Sequence, residues 1–173
     1  MSLYAALREF DGKKTAALEQ VDAELTRDKD TLGELLVAAE QTDETMQSAS
    51  TWILKRWCDE GEPLIAKSIP KFVKALRQVT AWPARLHLLQ ILSVHPIPLR
   101  AAKSLKPVLN DLLIQDNKFV RAWCFSVLAA IAETDPTYRD HVRSVLDNAE
   151  AADSASVKAR IRHVRKRYDW ATS

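Results

Sequence analysis

The chain has 173 residues, of which 47% are apolar and 28% are charged, as is ordinary for a soluble globular protein. This length allows one domain with a sizeable core or a short array of repeats. The three glycines disfavour a β-rich or loop-rich fold. No apolar run approaches the roughly 18 residues that a membrane span needs. We therefore expect no membrane association. Cys58 and Cys124 lie far apart in apolar helical segments, so we expect reduced, buried thiols and a cytoplasmic location.

The net charge of +2 is unevenly distributed along the chain. Residues 1–47 carry 11 acidic and 5 basic residues, a net charge of −6, whereas residues 154–173 carry 6 basic residues and one acidic residue, a net charge of +5. Oppositely charged ends favour weak head-to-tail self-association. Such a contact joins two different surfaces and tends to build open chains.

Helical periodicity dominates the sequence, and no alternating strand pattern is convincing. Apolar residues recur at i, i+3, i+4 and i+7 in nine segments. In chain order these are residues 15–25, 31–41, 46–57, 64–79, 84–94, 99–113, 119–132, 138–149 and 155–168. Pro63, Pro83, Pro98 and Pro136 each stand where a first helical residue is expected. The pattern predicts an all-α fold.

An internal repeat of 36 to 37 residues follows from two independent markers. The segment DNKFVRA at 116–122 resembles DSASVKA at 153–159, 37 positions on, and DETMQSA at 43–49, 73 positions back. The segment TAWPARL at 80–86 lacks the aspartate but keeps a base. Pro70 and Pro107, also 37 apart, each fall inside a helical pattern, where proline bends a helix. Each repeat therefore predicts a bent helix, a tight turn and a straight second helix.

This arrangement resembles the HEAT repeat. The best unit is 105–132, in which the family's characteristic positions are occupied by Pro107, Asp116, Val120, Arg121 and Ala122. The resemblance covers about residues 31–168. It implies a right-handed α-solenoid in a single domain, 1–173, with a helical cap at 1–30 and four helical hairpins at 31–60, 63–95, 98–133 and 136–170.

The resemblance also implies a ladder of ion pairs between neighbouring turns, formed by Asp116, Arg121, Asp153 and Lys158. In a stacked array, a central second helix is covered by its own partner helix and by neighbours on both sides. We therefore expect the helix at 119–132 to be buried almost all round.

No enzyme activity is expected. The sequence has no GxSxG, GxxxxGKS/T or GxGxxG motif, and its four histidines and two cysteines form no metal-ligand pattern. We therefore expect no cofactor and no metal. The HEAT-like bacterial alkylpurine DNA glycosylases are similar in their tryptophans and basic surface. However, Trp52 and Trp123 lack an aspartate four residues on, which disfavours that class.

The predicted function is a non-enzymatic protein-binding scaffold or adaptor that uses a concave surface of second helices. Its expected contacts are Trp82, Arg85, Lys118 and Arg121. The alternative is a nucleic-acid-binding protein, which includes a relative of the HEAT-like DNA repair glycosylases, that uses the basic C-terminal helix. That helix carries the bases Lys158, Arg160, Arg162, Arg165, Lys166 and Arg167. A terminal helix with a merely solvated polar face is the other interpretation of the same residues.

Overall fold

A computed structural model describes residues 2–172, which form eleven α-helices and two short 3-10 helices, with no strand among them. The all-α prediction is confirmed. None of the described helices combines the length and apolarity needed to cross a membrane. The chain divides into two compact units, Met1–Ile91 and Leu92–Ser173.

The first unit begins with the helices that were predicted only as an N-terminal cap. Its helices are α1 Leu3–Arg8, α2 Ala16–Glu24, α3 Lys29–Ala39, α4 Glu44–Asp59, α5 Pro63–Ala66, α6 Ile69–Gln78 and α7 Trp82–Ser93. The division between the units falls within the last turn of α7.

Local caps explain where α3 and α4 begin and where α4 ends. Asp28 accepts a hydrogen bond from Thr31 N at the start of α3, and Asp43 accepts from Thr45 N at the start of α4. At the end of α4, Gly61 has a φ of 78°. This left-handed conformation suits glycine and closes the helix.

The predicted bent helix at 64–79 is instead two helices, so the interior position predicted for Pro70 is wrong. Pro63 opens α5, as predicted, but α5 ends at Ala66. Pro70 lies in the first turn of α6. The missing amide hydrogen of a proline costs nothing there, because first-turn amides have no helical partner.

The core of the first unit is built around α4. Helices α1, α2 and α3 pack against α4, and α3 also packs against α6. Ile53, Leu54 and Trp57 of α4 are fully buried, as is Phe72 of α6. Burial of each such side chain contributes about 1.5–3 kcal/mol.

The second unit contains α8 Leu99–Leu113, α9 Lys118–Thr134, α10 Arg139–Ala152 and α11 Ala155–Arg167, with 3-10 helices at Pro136–Tyr138 and Asp169–Ala171. Pro107 lies inside α8, as predicted. Pro98 was predicted as the first helical residue but is the N-cap of α8, which begins one position later at Leu99. Pro136 opens a 3-10 turn ahead of α10.

Helix α9 is the centre of the second unit. It packs against α8, α10 and α11, and every residue from Cys124 to Ala132 is buried. All-round burial is therefore confirmed for residues 124–132 of the predicted helix, whereas Phe119 in its first turn is exposed. The side chain of Asn117, rather than that of Asp116, caps α9 by accepting from Phe119 N and Val120 N.

Candidate interaction sites

Trp82 is one of the predicted contacts that are exposed in the structure. It is the first residue of α7, and half of its surface is exposed. Arg85 follows one turn later, and its Nε donates to the carbonyl oxygen of Val79 at 3.2 Å. The other two predicted contacts, Lys118 and Arg121, belong to the second unit.

An open pocket of about 380 Å³ lies beside Trp82 within the first unit. Its aromatic walls come from Phe10, Trp52 and Trp82. Lys13 and Glu44 add one charge of each sign to the lining. A pocket of this size and mixed chemistry is typical of a site for a small ligand or for a side chain of a partner.

Trp52, which was not among the predicted contacts, also lines this pocket. The side chain lies on α4, is only partly buried, and has the Arg56 guanidinium 5.7 Å from its ring centroid. No local sequence signal pairs Trp52 with Trp82, because thirty positions and three helix starts separate them.

His87 supplies a neutral polar group to the same pocket. A hydrogen bond of 3.0 Å joins His87 Nδ1 and Thr51 Oγ1, and Thr51 Oγ1 itself donates to the carbonyl oxygen of Gln47. Nδ1 therefore carries the proton, which leaves Nε2 as an acceptor. Burial, with a smaller effect of nearby Lys55, lowers the pKa of His87 to about 4, so the ring is uncharged at neutral pH.

Arg121 is occupied by contacts within the second unit. Its Nη2 lies 2.8 Å from Asp153 Oδ1, and its Nη1 donates to the carbonyl oxygens of Gln115 and Asp116. The hydrogen bond from Arg121 lowers the pKa of Asp153. Arg121 therefore holds the turn before α9 to the turn before α11.

The other two members of the predicted ladder have different positions. Asp116 contributes its backbone carbonyl to Arg121, and its exposed carboxylate forms no ion pair with another described residue. Lys158 is partly buried on α11, and the structure gives it no ion pair within residues 2–172. Lys118, the remaining predicted protein contact, is exposed beside Phe119, with Nζ 5.4 Å from the ring centroid.

The six bases of α11 are not equivalent. Arg165 is largely buried and pairs with Asp147 Oδ1 at 2.6 Å and Glu150 Oε2 at 2.9 Å. Arg162, Lys166 and Arg167 are exposed. The structure therefore sets Arg165 apart from the other predicted bases, because two carboxylates of α10 balance its charge.

Arg160 lies in a small groove between α11 and α9. Its guanidinium carbon is 3.6 Å from the ring centroid of Trp123. The groove has a volume of about 160 Å³, and Arg160, His163 and Arg167 line it together with Trp123. No acidic side chain lines this groove among the described residues. We call it the Arg160 groove.

A buried carboxylate in the first unit was also missed. Asp22 is 5% exposed and accepts a hydrogen bond of 2.5 Å from Trp57 Nε1. Arg56 and Arg27 lie 3.1 and 3.4 Å from its other oxygen. Full pairing inside the protein makes Asp22 a structural anchor. Its partners lie up to 35 positions away, so spacing in the sequence gave no signal.

Gln47 joins two turns of the first unit in the same way. It is 1% exposed, its Oε1 accepts from Thr80 N and Ala81 N, and its Nε2 donates to the carbonyl oxygen of Gln41. These bonds hold the segment immediately before Trp82. The exposed position of Trp82 is thus set by a buried amide.

The described residues contain no cluster of three or more histidine, cysteine, aspartate or glutamate side chains arranged to hold a metal ion. Neither cysteine of the described residues forms a disulfide bond; Cys124 is buried and Cys58 is partly buried. The chain matches no protein-family model, no curated protein and no solved structure.

Proposed function

We propose that this protein is a non-enzymatic interaction module whose first unit binds a protein partner in the pocket formed by Trp52 and Trp82. The half-exposed Trp82, which lines a pocket together with the aromatic rings of Phe10 and Trp52, carries this proposal. Tryptophan is enriched among the few interface residues that contribute most of the binding free energy.

The lining favours an extended peptide segment with a bulky apolar side chain. Phe10, Trp52 and Trp82 offer apolar surface, while the acceptor nitrogen of His87 suits a backbone amide donor. Of the originally expected contacts, this proposal keeps Trp82. It leaves out Arg121, because the contacts of Arg121 with Asp153 and two carbonyls already use its donors.

The proposed scaffold is a HEAT-like right-handed solenoid of four helical pairs. Two contacts support it, because each joins second helices of successive predicted repeats. Thr51 on α4 bonds His87 on α7, 36 positions away, and α9 packs along α11. Solenoids of this kind commonly present their binding surface on stacked second helices.

The test is selection from a displayed random-peptide library on the purified protein. Enriched peptides should carry a bulky apolar anchor, and Trp82→Ala should weaken their binding at least about tenfold, as expected for a binding hot spot. Isothermal titration calorimetry would measure the dissociation constants.

The matched control is Val37→Ala, since Val37 on α3 is as exposed as Trp82. Its effect on the dissociation constant should be less than about twofold. The site is wrong if selected peptides bind Trp82→Ala as tightly as the wild type. Failure to enrich any peptide that depends on Trp82 also contradicts the proposal.

A second candidate function, nucleic-acid binding through α11, is favoured by the bases that remain without a carboxylate partner. Arg160, Arg162, Lys166 and Arg167 form no ion pair with another described residue. With about three phosphate contacts, the affinity for a single strand should fall about 20-fold between roughly 50 and 200 mM salt. Fluorescence anisotropy with short DNA and RNA oligonucleotides would measure this slope, and salt-insensitive binding would contradict it.

A further inference from the structure

The cations of the second unit fall into two classes by their partners. Arg121 and Arg165 are each held by carboxylates at 2.6–2.9 Å. Arg160 is partly buried, and its one described contact is the face of the Trp123 ring at 3.6 Å. Burial lowers the pKa of Arg160, and no neighbouring acid acts in the opposite direction.

A partly desolvated guanidinium without a counter-ion has donors available for a ligand. Stacking on Trp123 fixes the plane of the Arg160 guanidinium, so little further ordering is needed when an anion binds. An anion placed there would recover electrostatic energy that Arg160 loses on leaving water. The groove itself therefore selects for negative charge.

Arg167 adds a second positive charge on the same flank of α11, and His163 adds its ring nitrogens. His163 and Arg167 follow Arg160 at i+3 and i+7 and line the same groove. The three positions span about 10 Å of helix at a rise of about 1.5 Å per residue. Ser126 and Tyr168, also in the lining, add a hydroxyl group and an aromatic ring.

We propose that the Arg160 groove binds single-stranded nucleic acid, with a backbone phosphate held by Arg160, His163 and Arg167 and a base against Tyr168 and the edge of Trp123. This inference rests on the second candidate function and specifies its site and its substrate. Basic grooves with aromatic platforms bind single strands because unpaired bases are free to stack.

The size of the groove argues against a duplex. A volume of about 160 Å³ accommodates a phosphate and the edge of one base. In a duplex the bases are stacked and paired, so they cannot reach Tyr168 while a phosphate contacts Arg160. A single strand rotates its bases freely and satisfies both contacts.

The test is fluorescence anisotropy at low salt with oligo(dT), oligo(rU) and a DNA duplex of equal length. Arg160→Gln should weaken single-strand binding at least about tenfold. The exposed Arg162→Gln on the same helix, outside the groove lining, should weaken it only about two- to threefold. His163→Gln, an exposed change within the lining, provides a second variant that leaves the core intact.

The outcomes distinguish single-strand binding in the Arg160 groove from nucleic-acid binding by α11 in general. Preferential single-strand binding that is lost in Arg160→Gln and His163→Gln supports the proposal. Equal losses in Arg160→Gln and Arg162→Gln, or duplex binding as tight as single-strand binding, overturn the groove but keep nucleic-acid binding by α11. No salt-sensitive binding to any of the three polymers overturns both. Binding of an acidic or phosphorylated peptide in place of nucleic acid also overturns the groove's assigned substrate.

Discussion

Asp22 in the first unit and Arg160 in the second are both withdrawn from water, but their surroundings differ. Asp22 has Trp57 Nε1 and two guanidinium groups within 3.4 Å. Arg160 has an aromatic face and no described carboxylate. A buried charge is retained in a fold when its partners are internal. A charge without internal partners contributes little to stability and is available to a ligand.

Replacing Asp22 tests whether a charge with internal partners stabilises the fold, and we expect it to have the largest effect. Asp22→Ala leaves Trp57 Nε1 buried without an acceptor and removes the anion between Arg27 and Arg56. We expect a loss of about 3 kcal/mol in the free energy of unfolding, measured by urea denaturation. Glu24→Ala, an exposed change on the same helix, should alter it by less than about 0.5 kcal/mol. Equal effects of the two substitutions would contradict an anchoring role for Asp22.

The neutral His87 adds a pH dependence to the stability of the first unit. The unfolded imidazole protonates near its usual pKa of 6.5, whereas the folded one protonates near 4. The unfolded state therefore binds more protons between these values, so stability falls as the pH falls from about 6.5 to 4. We expect a loss of about 2 kcal/mol between pH 7 and pH 5.

Urea denaturation at the two pH values would check this loss. His87→Gln should remove most of it, leaving the smaller contribution of His95, whose pKa burial also lowers. A wild-type protein whose free energy of unfolding is the same at both pH values would show that the imidazole of His87 titrates normally.

Arg121 offers the corresponding test of an internally partnered cation in the second unit. A lysine at this position cannot reach Asp153 and two carbonyl oxygens together, because its single ammonium lacks the guanidinium fork. Arg121→Lys should therefore destabilise the protein by about 1 kcal/mol in urea denaturation. Arg162→Lys, at an exposed site, is the matched control and should have no measurable effect. Identical urea denaturation curves for both variants would show that the contacts of Arg121 do not stabilise the fold.

The smallest expected effect belongs to Arg160. Arg160→Gln should change the free energy of unfolding by less than about 0.5 kcal/mol, because the lost contact with the Trp123 ring is offset by relief of desolvation. The same denaturation experiment would measure it. A loss greater than that of Arg121→Lys would mean that Arg160 is a structural residue, and the contrast with Asp22 would fail.

Several elements were predictable because their signals are local. The segment 99–113 was predicted as a helix and is α8, and the apolar segment 119–132 lies within the buried α9. The proline rule failed at Pro70, since a proline predicts either a bend or a new first turn equally well. Because α5 ends at Ala66, Pro70 lies in the first turn of a new helix instead of bending an existing one.

The candidate sites were predictable only in part. Trp82 was among the predicted contacts, and half of its surface is exposed in the structure. Nothing in the sequence indicated that Trp52 lines the same pocket as Trp82. Nothing indicated either that Asp147 and Glu150 pair with Arg165. A side chain on an amphipathic helix has a predictable face, but its partner on another helix does not follow from that face.

The sequence by itself therefore determined the helical class of this protein, because caps and the 3.6-residue period act over a few neighbouring residues. Only the tertiary structure decided which charges are paired with a carboxylate inside the protein and which are not. Asp22 meets Trp57 across 35 positions, and Arg121 meets Asp153 across 32. Arg160 meets an aromatic ring where Arg165 meets two carboxylates. These pairings depend on how helices pack, and packing is set by the apolar surfaces that they bury together.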